Sequence, residues 1–273
     1  MKRFAIGSAE AGGPALLVIA GPCVVESAEL CLRVAGHLKA ACAARGLPYV
    51  FKASYAKANR SSPRSFAGLP LVESLAILER VRREIGVPVL TDVHGLAEVG
   101  PAAEVADALQ IPAFLSRQTA LLQAAAATGR AVNVKKGQFL APDDMKNVVE
   151  KLTAAGATRI LLTERGTTFG YHDLVVDMRG LVTMRELGWP VIYDATHSLQ
   201  RPGGEVSGGD RRFAFPLMRA AVACGVDGLF FETHPEPARA LSDAAVQLPL
   251  AEVEAFLDEA RRVREAVSER AHA

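Results

Sequence analysis

Hydrophobic and polar positions divide the chain into short apolar runs that alternate with longer amphipathic stretches. The apolar runs have the length of buried strands. The amphipathic stretches have helical spacing, and several end at the glycine that commonly follows a helix. This pattern predicts eight consecutive strand–helix units. Their strands begin at Leu16, Pro48, Val87, Ala108, Ala131, Thr158, Trp189 and Gly228.

Repeated strand–helix units indicate a parallel sheet, which leaves two architectures open. Eight units in roughly 250 residues have the size of a (β/α)8 barrel. A doubly wound open sheet is the alternative, but "IAGPCVVES" after the first strand lacks its GxGxxG pattern. We therefore predict an α/β fold, a (β/α)8 TIM barrel in which residues 1–273 form a single domain. The residues before Leu16 should form a short N-terminal extension that caps the bottom of the barrel.

Composition excludes several classes of partner. The chain has 273 residues, half of them hydrophobic, and a net charge of only +1, which argues against general attraction to nucleic acid or a membrane surface. No apolar run approaches the ~18 residues that span a bilayer. The first residues also lack the apolar core of a signal peptide. We predict a soluble cytoplasmic protein whose four cysteines are thiols.

Residues whose side chains could take part in catalysis or ligand binding stand at the ends of all eight predicted strands, where the active site of a barrel lies. Alternation within "AVNVKKG" places Val132 and Val134 toward the helices, so Asn133 and Lys135 should point inward. A charged side chain inside a barrel is costly unless it meets a partner. The eight strand-end residues are Cys23, Lys52, Asp92, Gln110, Lys135, Arg165, His197 and Glu232.

Positive charge is concentrated at the same predicted face, notably in "FKASYAKANRSSPRSF". Arginine and lysine there could anchor phosphate and carboxylate groups. The "NRSS" segment adds hydroxyls and backbone N–H groups, as phosphate sites often do. Five cations suggest more than one anionic group, because a phosphoryl group carries only about −1.5 to −2 charges. The five are Lys52, Lys57, Arg60, Lys135 and Arg165.

A second set could bind a divalent transition metal: Cys23, His197, Glu232 and Asp243. Thiolate, imidazole and carboxylate are suitable ligands, but the spacing is too wide to be a motif by itself. The alternative is a buried thiol, a packed histidine and two solvated acids. Residues 201–212, "RPGGEVSGGDRR", are either a loop that closes over a substrate or an ordinary surface loop.

These segments resemble the 3-deoxy-D-manno-octulosonate 8-phosphate synthase family over nearly the whole chain, in order. The matching stretches include "IAGPCVVES", "FKASYAKANRSS", "LQIPAFLSRQT", "NVKKGQF", "LTERGTTFGY", "DATHSLQ" and "FFETHPEP". The resemblance implies a (β/α)8 barrel that condenses phosphoenolpyruvate with D-arabinose 5-phosphate and releases phosphate. It also implies a place in the synthesis of the inner core of lipopolysaccharide.

The resemblance also assigns expected roles. Catalytic roles are implied for Lys57, Asp92 and His197, with Lys57 between the two substrates and Asp92 near the aldehyde. Arabinose 5-phosphate would be held by Asn59, Arg60 and Ser61. Phosphoenolpyruvate would be held by Lys52, Gln110, Lys135 and Arg165.

Metal and assembly are implied in the same way. Cys23 resembles the metal-requiring class of the family, so Cys23, His197, Glu232 and Asp243 would bind zinc, iron, manganese, cobalt or cadmium. The family usually forms a homotetramer in which the arginine that matches Arg117 reaches a neighbouring active site. On sequence alone, a solvated loop arginine is the alternative.

Two other functions remain open. Related enzymes that make 3-deoxy-D-arabino-heptulosonate 7-phosphate share the barrel but use erythrose 4-phosphate, and usually carry a "KPRTS"-like stretch where this chain has "KANRSS". A non-catalytic phosphosugar-binding protein would keep the cations without needing a second anion site or metal ligands.

Overall fold

The computed structural model describes residues 1–56, 68–203 and 208–270. Eight parallel strands form the centre, and each coincides with a run predicted from the sequence. They are β1 Leu17–Gly21, β2 Tyr49–Lys52, β3 Val89–Asp92, β4 Ala108–Ile111, β5 Ala131–Lys135, β6 Ile160–Glu164, β7 Val191–Asp194 and β8 Gly228–His234.

The strands pair in chain order and close into a barrel. Each strand is parallel to the next, and β8 pairs with both β7 and β1, for example Ile192 with Gly228 and Gly228 with Leu17. Close approach explains one glycine at the catalytic end: a Cβ on Gly21 would lie 2.1 Å from the Lys52 carbonyl oxygen. The predicted (β/α)8 architecture is confirmed.

Eight helices surround the strands. They are α1 Ala28–Ala43, α2 Leu71–Arg80, α3 Leu96–Val105, α4 Thr119–Ala127, α5 Met145–Ala154, α6 Met178–Arg185, α7 Ala214–Ala223 and α8 Val253–Arg270. Side-chain caps mark two helix starts: Ser27 Oγ accepts from Leu30 N before α1, and Asp177 accepts from Arg179 N before α6. Throughout the described ranges, each helix is too short or too polar to cross a membrane.

Alternation along the strands separates two apolar layers. Outward residues such as Val132 and Val134 pack with the helices, whereas inward residues such as Leu161 and Phe230 fill the barrel. The assignment of Asn133 and Lys135 to the inner face is therefore confirmed. At the C-terminal end of the barrel, the inward face of the strands therefore carries polar side chains.

The N-terminal extension caps the barrel as predicted. Antiparallel strands Phe4–Ile6 and Ala9–Ala11 form a hairpin, and Ile6 is fully buried against the inner apolar layer. Lys2 N donates to Gly188 O at 3.0 Å, at the entrance to β7. The hairpin closes the N-terminal end, so the opposite end is the one available for a site.

Candidate active site

A chain of polar side chains lines the inside of the barrel near the C-terminal ends of β3 to β6. Thr163 Oγ1 donates to Asn133 Oδ1 at 2.6 Å, and Asn133 Nδ2 donates to Gln110 Oε1 at 2.8 Å. Gln110 Nε2 and Ser54 Oγ both donate to Asp92. These donors fix the orientation of the Asn133 and Gln110 side-chain amides. Asp92, although buried, acts as a hydrogen-bond acceptor.

Lys52, at the end of β2, is held among the candidate metal ligands. Its Nζ lies 2.8 Å from Glu232 Oε1 and donates to the Cys23 carbonyl oxygen at 3.2 Å. Both side chains of the Lys52–Glu232 pair are almost completely buried, which is affordable only because the charges are paired. The predicted anion anchor and the predicted ligand set are therefore in direct contact.

Lys135 is the inward lysine at the end of β5. It forms an ion pair with Asp194, and its Nζ lies 3.2 Å from the centroid of the Phe230 ring. Burial lowers the pKa of Lys135 to about 8, although Asp194 opposes the shift. A desolvated ammonium group in this position suits an anionic group of a ligand.

Arg165 follows β6 and has donor capacity to spare. Its Nη2 donates to Gln200 Oε1 at 2.6 Å, whereas buried Nη1 has no hydrogen-bond partner among residues 1–56, 68–203 and 208–270. Burial lowers the pKa of Arg165. A buried guanidinium with an unused N–H is expected where a carboxylate or phosphate binds.

Asp194 is a central residue that the sequence analysis did not assign. Besides Lys135, its Oδ2 accepts from His197 Nδ1 at 2.8 Å, and its Oδ1 accepts from the backbone N–H groups of Thr196 and His197. Burial raises its pKa, but the charges of His197 and Lys135 outweigh that effect and lower it well below the usual range. A signal was available, because Asp194 is the last residue of β7 and shares the inward face with Ile192.

The structure brings together three of the four candidate metal ligands. One ligand atom from each of Cys23, Glu232 and Asp243 lies within 4.8 Å of the other two. His197 Nε2 is 3.6 Å from Glu232 Oε1 and lies beside this triad. Because Asp194 Oδ2 accepts from the Nδ1 side of the His197 ring, Nε2 is the ring nitrogen directed to the triad.

Asp243 reaches the triad from the segment after β8. Cys23 Sγ donates to Asp243 Oδ2 at 3.0 Å, and the Asp243 backbone is left-handed, with φ of 49°. Val246 N and Gln247 N both donate to the Asp243 carbonyl oxygen and stabilise this turn. Thiol and carboxylate donors at these separations fit a divalent transition metal, which would also offset the carboxylate charge of the cluster.

Four predicted site residues, Lys57, Asn59, Arg60 and Ser61, lie outside the described residues.

Arg117 lies past the end of β4 and is exposed. Its side chain makes no hydrogen bond or ion pair with the part of the chain that the structure describes. It is therefore not joined to the described site by a hydrogen bond or an ion pair.

Lys136 provides an internal contrast to Lys135. It is fully buried directly after β5, on the outward side of the barrel, where Nζ donates to Thr167 Oγ1 at 2.9 Å and to Leu140 O at 3.1 Å. Its Nζ also lies 3.6 Å from Glu164 Oε2. Adjacent lysines thus face different surroundings, and the outward one supports the loop after β5.

Fold and site define a class of protein: a closed parallel barrel that combines, at the C-terminal ends of its strands, buried cations with a thiol–carboxylate cluster that could hold a metal. The sequence model of the DAHP synthetase I family matches residues 5–269. The chain belongs to this family.

Known proteins of high similarity share one name, 2-dehydro-3-deoxyphosphooctonate aldolase. The protein of Trichlorobacter lovleyi is 56% identical over 259 residues, which cover 94% of this chain and 95% of that protein. The protein of Azoarcus sp. is 54% identical over 259 residues, 93% of each chain. The protein of Synechococcus sp. is 55% identical over 269 residues, 98% of this chain and 93% of that protein.

The low pKa of Lys135 predicts a pH dependence of anion binding. Lys135 loses its charge as the pH rises through about 8, so binding of an anion above that pH requires uptake of a proton. We expect the dissociation constant for phosphoenolpyruvate, measured by calorimetry, to rise up to about tenfold per pH unit above about pH 8. In a Lys135→Arg variant, whose guanidinium stays charged, this rise should be absent. A flat wild-type profile from pH 7 to 9.5 would contradict the assignment.

Proposed function

We propose that this protein condenses phosphoenolpyruvate with D-arabinose 5-phosphate and water, giving 3-deoxy-D-manno-octulosonate 8-phosphate and phosphate. The observation that carries the proposal is the juxtaposition of Lys135 and Arg165 with the Cys23–Glu232–Asp243 cluster inside one barrel end. The name of the relatives supports it, since an octonate has eight carbons. Three carbons from phosphoenolpyruvate and five from a pentose phosphate give that number.

Phosphoenolpyruvate occupies the inner part of the site. Its phosphate and carboxylate are bound by Lys52, Lys135 and Arg165, and Gln110 lines the same pocket from the polar chain on β3 to β6. The unused N–H of Arg165 supports this placement, because a ligand oxygen would satisfy it. Arabinose 5-phosphate lies toward Asn59, Arg60 and Ser61, with Lys57 between the two substrates.

The side chains mainly position the two substrates and hold protons. C3 of phosphoenolpyruvate attacks the aldehyde carbon, water adds to C2, and the C2–O bond breaks as phosphate leaves. Asp92, an acceptor from Ser54 and Gln110, faces the aldehyde end and orients the sugar. Holding both reactants in register can lower the barrier by several kcal/mol.

Cys23, His197, Glu232 and Asp243 would hold a divalent metal ion. Such an ion supplies Lewis-acid polarisation of a carbonyl or a bound water. Asp194 keeps the His197 ring oriented with Nε2 toward that position, and Lys52 forms an ion pair with Glu232. The metal is zinc, iron, manganese, cobalt or cadmium.

Two alternatives receive less support. A heptulosonate synthase would use erythrose 4-phosphate and make a seven-carbon product, which does not match the name of the relatives. A non-catalytic phosphosugar-binding protein would not need the metal cluster beside the buried cations.

Substrate choice gives the most direct test. With phosphoenolpyruvate present, we expect phosphate release with arabinose 5-phosphate and little release with erythrose 4-phosphate, as measured by a phosphate assay. Equal or faster release with erythrose 4-phosphate would move the protein to the heptulosonate branch.

Metal removal gives a second prediction. A strong chelator should abolish phosphate release, and a divalent transition metal should restore it, because Cys23, Glu232 and Asp243 are already gathered as ligands. Cys23→Ser should lower metal affinity in a chelator competition assay, whereas Cys31→Ser, at a buried helical cysteine, should leave it unchanged. Full activity in protein shown to be metal-free would sink this part of the proposal.

We further propose a homotetramer in which Arg117 completes the arabinose 5-phosphate site of a neighbouring subunit. Its exposed position past β4, with a side chain that makes no hydrogen bond or ion pair to the described part of its own chain, supports this role. A charged hydrogen bond to phosphate is worth about 1.5–3 kcal/mol. Arg117→Ala should therefore weaken arabinose 5-phosphate binding roughly ten- to a hundredfold, while calorimetry shows phosphoenolpyruvate binding little changed.

Mixed oligomers test whether Arg117 acts across the interface. A subunit carrying Arg117→Ala is combined with one carrying Lys135→Met, and phosphate release is measured in oligomers verified to contain both. Activity should partly return, because one pocket then has an intact Lys135 and an intact Arg117 from its neighbour. No recovery would show that Arg117 serves its own subunit or none.

A further inference from the structure

Gln200 joins the anion-binding and metal-binding halves of the site. Its Oε1 accepts from Arg165 Nη2 at 2.6 Å, and its Nε2 donates to Asp243 Oδ1 at 2.8 Å. Asp243 in turn accepts from Cys23 through its other oxygen, Oδ2, at 3.0 Å. A continuous series of hydrogen bonds therefore runs from the Arg165 guanidinium to the Cys23 thiol.

The orientation of the Gln200 amide is forced by its two neighbours. A guanidinium can only donate and a carboxylate can only accept, so the amide oxygen must face Arg165 and the amide nitrogen must face Asp243. The backbone is held as well: Gln200 N donates to the carbonyl oxygen of His197, and Gln200–Arg201 pairs with Gly208–Gly209. The side chain is thus fixed at both ends and at its base.

The two hydrogen bonds of Gln200 leave one polar atom of Asp243 and one of Arg165 directed to the site. Because Nε2 of Gln200 occupies Oδ1 of Asp243, Oδ2 is the oxygen directed to Cys23 and the metal position. Because Oε1 of Gln200 takes Nη2 of Arg165, the buried Nη1 is the donor left for a ligand anion. One neutral amide therefore sets which atom of each partner serves the site, without adding charge.

We infer that Gln200 is a positioning residue that couples metal binding at the Cys23–Glu232–Asp243 cluster to binding of the phosphoenolpyruvate anion at Arg165. The inference rests on the proposed function for the identity of that anion. Each ligand strengthens the binding of the other, because a ligand that orders Asp243 or Arg165 also orders the amide that is bonded to both. The coupling is reciprocal, so it can be measured from either side.

Gln200→Met is the first test variant, because it keeps the length of the side chain and removes both hydrogen bonds. Affinity for a divalent transition metal is measured by competition with a chromophoric chelator, with and without phosphoenolpyruvate. Calorimetry gives phosphoenolpyruvate affinity with and without metal. We expect metal affinity and anion affinity each to fall about tenfold, and the strengthening of one ligand by the other to disappear.

Gln200→Glu is the second variant and is nearly isosteric, so it decides the question even if Gln200→Met folds poorly. It keeps the acceptor toward Arg165 but places a carboxylate against Asp243 and neutralises the guanidinium. We expect phosphoenolpyruvate affinity to fall more than in Gln200→Met, by about a hundredfold, without a matching loss of metal affinity. Gln123→Met, at an exposed position of α4, controls for substitution of glutamine and should change nothing.

The outcomes separate this inference from the proposed function. Wild-type protein that bound neither metal nor phosphoenolpyruvate would overturn the proposed function and the inference with it. Normal wild-type binding of both ligands, with affinities and coupling in Gln200→Met and Gln200→Glu within twofold of wild type, would overturn the inference alone. A tenfold loss of both affinities in Gln200→Met, together with a larger loss of phosphoenolpyruvate affinity but not of metal affinity in Gln200→Glu, would support the inference.

Discussion

The site depends on the hydrogen bonds and the ion pair that the buried carboxylate of Asp194 makes. It compensates the charge of Lys135, orients the ring of His197 and accepts two backbone N–H groups from the turn that follows β7. A lone carboxylate in this position would be strongly disfavoured, and so would a lone Lys135. Four donors make Asp194 stable as an anion, and the anion in turn allows a lysine inside the barrel. The proposed anion site and the proposed metal site both depend on this one side chain.

Charge pairing extends around the rest of the barrel end. Lys52 pairs with Glu232, and Asp92 receives hydrogen bonds from Ser54 and Gln110, so charges that bind ligands are balanced before a ligand arrives. The cost of this arrangement is that a ligand must compete with existing partners. The gain is a site whose polar groups are already oriented, as positioning catalysis requires.

Much of the fold could be read from the sequence because the physical signals are regular. Eight apolar runs that alternate with amphipathic stretches predicted the strands, and alternation in "AVNVKKG" predicted the inward face of Asn133 and Lys135. The same alternation points to Asp194, the last residue of β7, whereas the sequence prediction names His197, three positions later, for the chemistry of its imidazole.

Other parts of the site could not be predicted, because they depend on contacts between distant segments. Gln200 is an unremarkable polar residue in the sequence, and only the fold brings Arg165 and Asp243 to either side of its amide. The left-handed turn at Asp243 likewise depends on hydrogen bonds from Val246 and Gln247. The roles of Lys57, Asn59, Arg60 and Ser61 rest on the family resemblance.

The central claim is that the inward-facing lysine, and not its outward-facing neighbour, binds the ligand anion. The adjacent residues Lys135, at the end of β5, and Lys136, directly after it, test this claim most directly. Lys135→Met and Lys136→Met remove the same charge from neighbouring residues that are both buried. Calorimetry should show phosphoenolpyruvate affinity reduced ten- to a hundredfold or more in Lys135→Met, and within a few-fold of wild type in folded Lys136→Met. Equal losses in both variants, or a larger loss in Lys136→Met, would contradict the account.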